Sequence, residues 1–308
     1  MTQTKRSSRA FADRRLPAFL LMTPAGLLLT AVTLIPLVVM VWMAFTDYDK
    51  RSLFTGAYEI VGFANFADIL TDSAFWGSFF RTIWFTAALV IGSLVIGVGI
   101  SHLMTRLGSK MRTAVTIVLV FTWAMPNVAA SLVWNWMFQP GYGVLNWILT
   151  QLRIFGDMTS TDWGTNTALA FTSIWLLVVW QAVPFIALTV YAAETQVGQE
   201  YKEAARLDGA NERRIYFNVT LPFLKPTILL ITILSVIWDF NVFNQIWLVS
   251  RGGPDGSTST LGVFTYITAF VSFDLGTGAA LALITALLLA ALTSVYIRHL
   301  IRSGEDEL

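Results

Sequence analysis

Apolar positions in this chain gather into long runs rather than into the alternating or 3.6-residue patterns of half-buried elements. Runs suited to spanning recur near residues 17–45, 79–105, 112–137, 167–195, 226–249 and 277–300, with short polar stretches between them. At about 1.5 Å of rise per residue, each run is long enough as a helix to cross roughly 30 Å of hydrocarbon. Backbone amides and carbonyls find no water there, so a spanning segment must bond them within itself, which a helix does. The pattern predicts an all-α integral membrane protein with six transmembrane helices. Prolines 24, 36, 126 and 184 fall inside these runs. Pro24 and Pro36 read as packing kinks, whereas Pro126 and Pro184 lie beside polar residues and suit a functional bend equally well.

Composition agrees: the 308 residues are 56% hydrophobic and 13% charged, against about 25% charged in soluble domains, and mean hydropathy is +0.65. Cysteine is absent, which excludes disulfides and Cys-based metal or redox chemistry. His102 and His299 are too few and too far apart for a metal site, and His102 reads as interfacial near the end of the second run. A net charge of +1 gives no reason to expect nucleic acid as a partner. Residues 1–15 form a polar, basic tail. The run that follows, Leu16–Phe45, is longer than the core of a secretory signal and is expected to be a retained first span.

Charge placement orients the spans, because Lys and Arg concentrate on the cytoplasmic side. With six spans both termini share one side, and that side holds fifteen of the 20 basic residues. The remaining five are Lys50, Arg51, Arg81, Arg153 and Arg251. Both termini and the 196–225 connection are therefore expected in the cytoplasm. The expected organisation is a tail over 1–15, a membrane domain over 16–303 containing that connection, and a short tail over 304–308. Outer stretches 47–78, 139–165 and 251–276 are rich in Gly, Asp, Thr and aromatics and too short for a soluble domain. Trp76, Trp134, Trp136, Trp163, Trp175 and Trp247 near span ends fit an interfacial aromatic belt.

The 196–225 connection reads as two short helices. Glu200–Leu207 is helix-prone, Gly209 suits a left-handed C-terminal cap, and Asn211 can cap a second segment over 212–218. Leu221-Pro222 and Pro226 are expected to stop that segment ahead of the fifth span. The adjacent Ala204 and Ala205 leave room for a partner surface, and Glu203 offers it a charge. Helicity and charge alone would fit an amphipathic loop on the membrane surface. The spacing is more specific: Glu203-Ala204-Ala205, three residues, Gly209, nine residues, then Val219-Thr220-Leu221-Pro222. This resembles the EAA motif of permease subunits in binding-protein-dependent ABC importers, with Val219 where the family has Ile. Three further segments resemble the carbohydrate-uptake (maltose-type) branch, and the first of its two permeases. They are Val61–Phe66, Trp134–Phe138 with Gly141-Tyr142-Gly143 and Asn146, and Arg251–Pro254 with Ser257–Thr260.

The resemblance implies a MetI-like fold in a bacterial plasma membrane and a role in sugar import without enzymatic activity. It implies partners: a second permease subunit, a dimer of ATPase subunits, an extracytoplasmic solute-binding protein or lipoprotein, and membrane lipid. Glu203, Ala204, Ala205, Asp208, Gly209, Leu221 and Pro222 would couple to the ATPase. Gly108-Ser109-Lys110 is only a fragment of a phosphate loop, so ATP and Mg belong to the partner, and no cofactor or metal is expected here. Candidate pathway residues are polar groups at membrane depth. Asp239 is the sharpest, since a mid-helix charge costs about 2.5–3.5 kcal/mol on insertion scales. Asn241, Phe243, Asn244 and Gln245 follow it, with 241, 244, 245 and 248 expected on one helical face, and Asn127, Asn135 and Gln181 join them. Amides suit sugar hydroxyls, and Trp180, Trp238 and Phe243 offer stacking faces, though the same amides would serve equally as glue between helices. A permease for glycerol-3-phosphate or a related solute is the alternative, disfavoured because no arginine is expected at membrane depth. An ion-coupled secondary transporter would call for internal repeats and paired charges, neither of which is evident.

Overall fold

The computed structural model describes residues 21–305, whose regular structure is helical apart from two isolated β-bridges. In chain order the helices are α1 (Leu21–Met43), α2 (Lys50–Thr55), α3 (Ala64–Thr71), α4 (Ser73–Arg106), α5 (Ser109–Ala124), α6 (Asn127–Met137) and α7 (Val144–Leu152). They continue with α8 (Thr167–Glu194), α9 (Gln199–Leu207), α10 (Glu212–Phe240), α11 (Asn244–Val249), α12 (Leu261–Val271) and α13 (Leu275–Glu305). Five of them, α1, α4, α8, α10 and α13, are long and apolar enough to cross a membrane. The third run, expected as one span over 112–137, is instead a bent pair, a broken span or a re-entrant loop, in which α5 and α6 meet at 100°. Pro126 causes the break, because its ring disfavours helical backbone at the preceding residue, and Met125 is extended (φ −71°, ψ 126°). Pro184, by contrast, sits inside a continuous α8.

Two compact units are distinguished: residues up to Thr71 with Thr268–Ile284, and Asp72–Ile267 with the residues from Thr285 onward. In the first unit, α1 contains a π-turn over Thr30–Leu34 in which the Ile35 amide bonds the Thr30 carbonyl, five residues back. This widened turn lies directly ahead of Pro36, which has no amide hydrogen to continue the ladder. The segment after α1 is held by Asn65, whose amide donates to the carbonyls of Ala44 (3.0 Å) and Thr46 (2.9 Å). Gly276 packs so closely there that an added Cβ would run into the Thr46 carbonyl.

In the second unit, α4 and α8 form the centre. A stripe of small and polar residues, Ser78, Thr82, Thr86, Ser93, Gly97 and Ser101, is buried along α4 at four- and seven-residue spacing, which keeps one helix face aligned. Small residues let membrane helices approach closely and gain dispersion energy that lipid cannot match. Gly97 is a point of close approach: a Cβ would lie 2.6 Å from Ile186 Cγ2 of α8. Phe85, Leu89, Phe171, Ile174, Val178, Val242 and Ile246 fill the core beside this stripe. Some connections are pinned by single polar side chains. Asn146 is buried, accepts the Trp163 indole N–H at 2.7 Å and donates to the Thr161 carbonyl at 3.0 Å. Trp163 is thus a buried anchor rather than a member of an aromatic belt, and Trp175 likewise donates inward to the Ala88 carbonyl (2.9 Å). Arg81, on α4, donates to the Ser259 carbonyl (2.8 Å).

Candidate coupling segment and translocation cleft

The charged connection folds as its sequence suggests up to Asn211. Helix α9 ends in a Schellman turn: Gly209 has φ +80°, its amide donates to the Arg206 carbonyl (3.0 Å), and the Ala210 amide donates to the Ala205 carbonyl (2.9 Å). Two terminal carbonyls are satisfied by a residue for which positive φ carries no Cβ penalty. Asn211 then accepts from the Arg214 amide at 2.9 Å and starts α10. Arg206 and Glu212 close the corner with a 2.9 Å ion pair, whose hydrogen bond and charge hold the exposed Arg206 guanidinium above its ordinary pKa. The expected stop at Leu221-Pro222 and Pro226 does not occur. The helix runs unbroken to Phe240 because a π-turn over Tyr216–Thr220, in which the Leu221 amide bonds the Tyr216 carbonyl, precedes Pro222. Glu203, Ala204, Asp208 and Gly209 are exposed, Ala205 is half-buried, and α9 buries none of its residues. Leu207, 90% exposed, is left uncovered at its end.

The second candidate region is a cleft of about 370 Å³ between α5, α6, α8 and the α10–α11 break. That volume lies in the range of small-molecule sites. Asn127, Gln181, Asp239, Asn241, Phe243, Asn244 and Gln245 all line it, together with Trp123, Phe185 and Trp238. Asn135 is the exception: its amide donates to the Leu248 carbonyl (3.1 Å) and its oxygen accepts from Gln139 (2.8 Å), away from the cleft. Trp180 packs against Trp134 at 5.6 Å and is not part of the lining.

Three amides form a relay across the cleft wall, Gln245 donating to Gln181 and Gln181 to Asn127, each at 3.2 Å. An amide carries two N–H donors and an oxygen with two lone pairs, so every member keeps capacity for a guest. Trp238 meets Phe185 edge-on at 5.3 Å and Trp123 stacks over Phe185 at 6.2 Å, making an aromatic wall. Asp239 is the penultimate residue of α10 rather than a mid-helix charge, because the helix breaks at Asn241–Phe243. That break also divides the helical face expected for 241, 244, 245 and 248. The Asp239 side chain is buried (7% exposed) and its Oδ2 has no hydrogen-bond partner among the described residues. No Lys or Arg lines the cleft. The sequence reading missed Trp123 and Phe185, which were indistinguishable from the other aromatics of their apolar runs.

A helical, multi-pass chain with a bent helix pair, an exposed capped helix between two apolar helices and a polar cleft fits a membrane transport component. The match to the family model of the binding-protein-dependent transport system inner membrane component, over residues 93–303, establishes that the chain belongs to that family. It is 39% identical, over its whole length and 92% of the relative, to the diacetylchitobiose uptake system permease protein DasB of Streptomyces coelicolor. It is 33% identical to the sulfoquinovosyl glycerol transport system permease protein SmoG of Agrobacterium fabrum, over 92% of this chain and 90% of the relative. Among solved structures, the fold is shared with a chain of a bacterial ABC transporter involved in the import of the acidic polysaccharide alginate. There the TM-score is 0.80 at 17% identity, over 96% of this chain and 99% of the other. The protein is therefore a permease subunit of the ABC-importer class, resident in the inner membrane.

Proposed function

We propose that this permease carries a neutral sugar or small oligosaccharide, working with a second permease, a pair of ATPase subunits and an external solute-binding protein. The observation that carries the substrate class is the cleft. An amide relay, an unpartnered buried carboxyl and an aromatic wall suit hydroxyl groups and the apolar faces of a sugar ring, and no cation is present to greet a phosphate. The two relatives above have names that specify a disaccharide and a sugar glycerol, which supports the same reading. Asp239, Asn241, Phe243, Asn244, Gln245, Gln181 and Asn127 form the substrate pathway in this proposal. Asn135 supports the outer loop.

Coupling runs through α9. Glu203 and Asp208 face outward for pairing with a partner's basic groups, Ala204 and Ala205 allow close approach, and Leu207 supplies an apolar contact. Gly209 and the Asn211 cap fix the angle at which α9 passes into α10, and Leu221-Pro222 lies further along that same helix. ATP and Mg reside on the partner subunit, and the termini and α9 face the cytoplasm. Uptake by the reconstituted complex, measured with its binding protein across a panel of neutral sugars and glycerol phosphates, tests the proposal. Uptake restricted to glycerol phosphates overturns the sugar assignment.

A further inference from the structure

The one nearly fully buried carboxylate in the described residues besides Asp239 is Glu194, 3% exposed, the last residue of α8. Its Oε2 accepts from Ser101 Oγ (3.2 Å) and its Oε1 lies 3.1 Å from His102 Nδ1, both partners near the end of α4. His102, which its sequence position made merely interfacial, has its ring 4.2 Å from that of Tyr216, inside the π-turn of α10. One carboxyl thus gathers the ends of α4 and α8 and the beginning of α10.

The helix that lies beyond this point is poorly seated. A cavity of about 230 Å³, lined by Thr105, Arg106, Gln199 and Lys202 among others, separates α9 from the Glu194 cluster. Helix α9 buries no residue, and its one side-chain ion pair, Arg206–Glu212, holds it to the start of α10. Its buried anchors lie at its ends, Val197 just before it and Ile215 just after the Asn211 cap. A force applied to α9 must therefore leave through those ends, one continuous with Glu194 and the other with Tyr216. Both lead to the same cluster.

We propose that Glu194, with Ser101 and His102, is the joint that passes displacement of α9 to the packed α4–α8 pair, making Glu194 a positioning residue for coupling. The inference rests on the reading of α9 as the ATPase-docking helix. A carboxylate holds its donors by charge-assisted bonds about twice as strong as neutral ones. Glutamine at this position keeps the shape and weakens the grip. The joint then slips while α9 still docks.

The experiment measures solute imported per ATP hydrolysed by the whole complex in proteoliposomes, with its binding protein present. Glu194→Gln is expected to lower that ratio by about fivefold, with the complex still co-purifying and still hydrolysing ATP. His102→Phe should do the same, whereas His102→Gln, which restores a donor, should recover most of the ratio. If Glu194→Gln fails to assemble, the two His102 variants decide, since that ring is partly exposed and its loss leaves the buried packing in place. An unchanged ratio, or transport and hydrolysis falling in step, overturns the joint. Gly209→Val separates the two levels. If it abolishes transport while Glu194→Gln leaves the ratio intact, only the joint is wrong. If Gly209→Val transports normally, the docking reading has failed.

Discussion

Gly209→Val is the perturbation whose consequences are best defined. Gly209 holds φ +80°, and nothing lies within 4 Å of an added Cβ, so the penalty comes from the backbone alone. An L-residue in that region costs roughly 1–2 kcal/mol, toward the upper end for a β-branched side chain. Relaxing the strain sacrifices the Gly209–Arg206 and Ala210–Ala205 bonds that finish α9, at about 0.5–1.5 kcal/mol each. A nine-residue helix with no buried side chain has little reserve against such a loss, since helices under about 12 residues are marginal on their own. With a factor of ten for each 1.4 kcal/mol, the docking-competent population should fall about 5- to 30-fold. The helix core is remote from the change, so the thermal midpoint of the purified chain in detergent should move by no more than about 2 °C. Substrate-stimulated ATP hydrolysis and uptake by the reconstituted complex provide the readout. Gly209→Asn should retain most activity, because Asn tolerates left-handed backbone. Full uptake by Gly209→Val, or an Asn variant as impaired as the Val variant, refutes the reasoning.

Asp239→Asn preserves volume but removes the ionisable carboxyl from the cleft. Transport rate or substrate-stimulated hydrolysis should change several-fold, while co-purification with partners stays at the wild-type level; unchanged kinetics would remove Asp239 from the pathway. Asn146→Ala should cost about 2–4 kcal/mol, because it strands the buried Trp163 indole N–H and several carbonyls that each carry a desolvation penalty. Thermal unfolding in detergent reads this directly, and a loss below about 1 kcal/mol contradicts the pinning role. Gly97→Leu must push α4 from Ile186, with an expected cost of at least about 1–3 kcal/mol; an undiminished midpoint would show that the two helices are not in close contact there.

Much of this was legible in the sequence because a bilayer permits so few structures. Long apolar runs could only be helices, and the residues of the α9 corner each have one low-energy use: Gly209 for positive φ, Asn211 for a cap. What stayed illegible depended on partners distant in sequence. Pro126, Pro184, Pro222 and Pro226 look alike in the chain. Yet Pro126 breaks a helix, Pro184 is absorbed in a buried one, and the last two follow a π-turn that keeps α10 continuous. Of the amides, Asn127, Gln181 and Gln245 converge, while Asn135, two turns further along α6, turns to the Leu248 carbonyl. Glu194 gave no local signal either. Its burial becomes visible only when the ends of α4 and α8 are brought together.

The central claim, that α9 is where another subunit's ATP cycle takes hold of this one, has a direct measurement. The chain contains no cysteine, so Ala204→Cys introduces a unique thiol at an exposed position of α9. Disulfide or short-linker crosslinking is then measured in the assembled transporter against single cysteines lining the ATPase surface, with and without nucleotide. The account predicts an efficient, specific crosslink from Ala204→Cys to one site on the ATPase, and none from a control Ser257→Cys in the segment between α11 and α12. Failure of Ala204→Cys to crosslink, in a complex that still imports its solute, would contradict it.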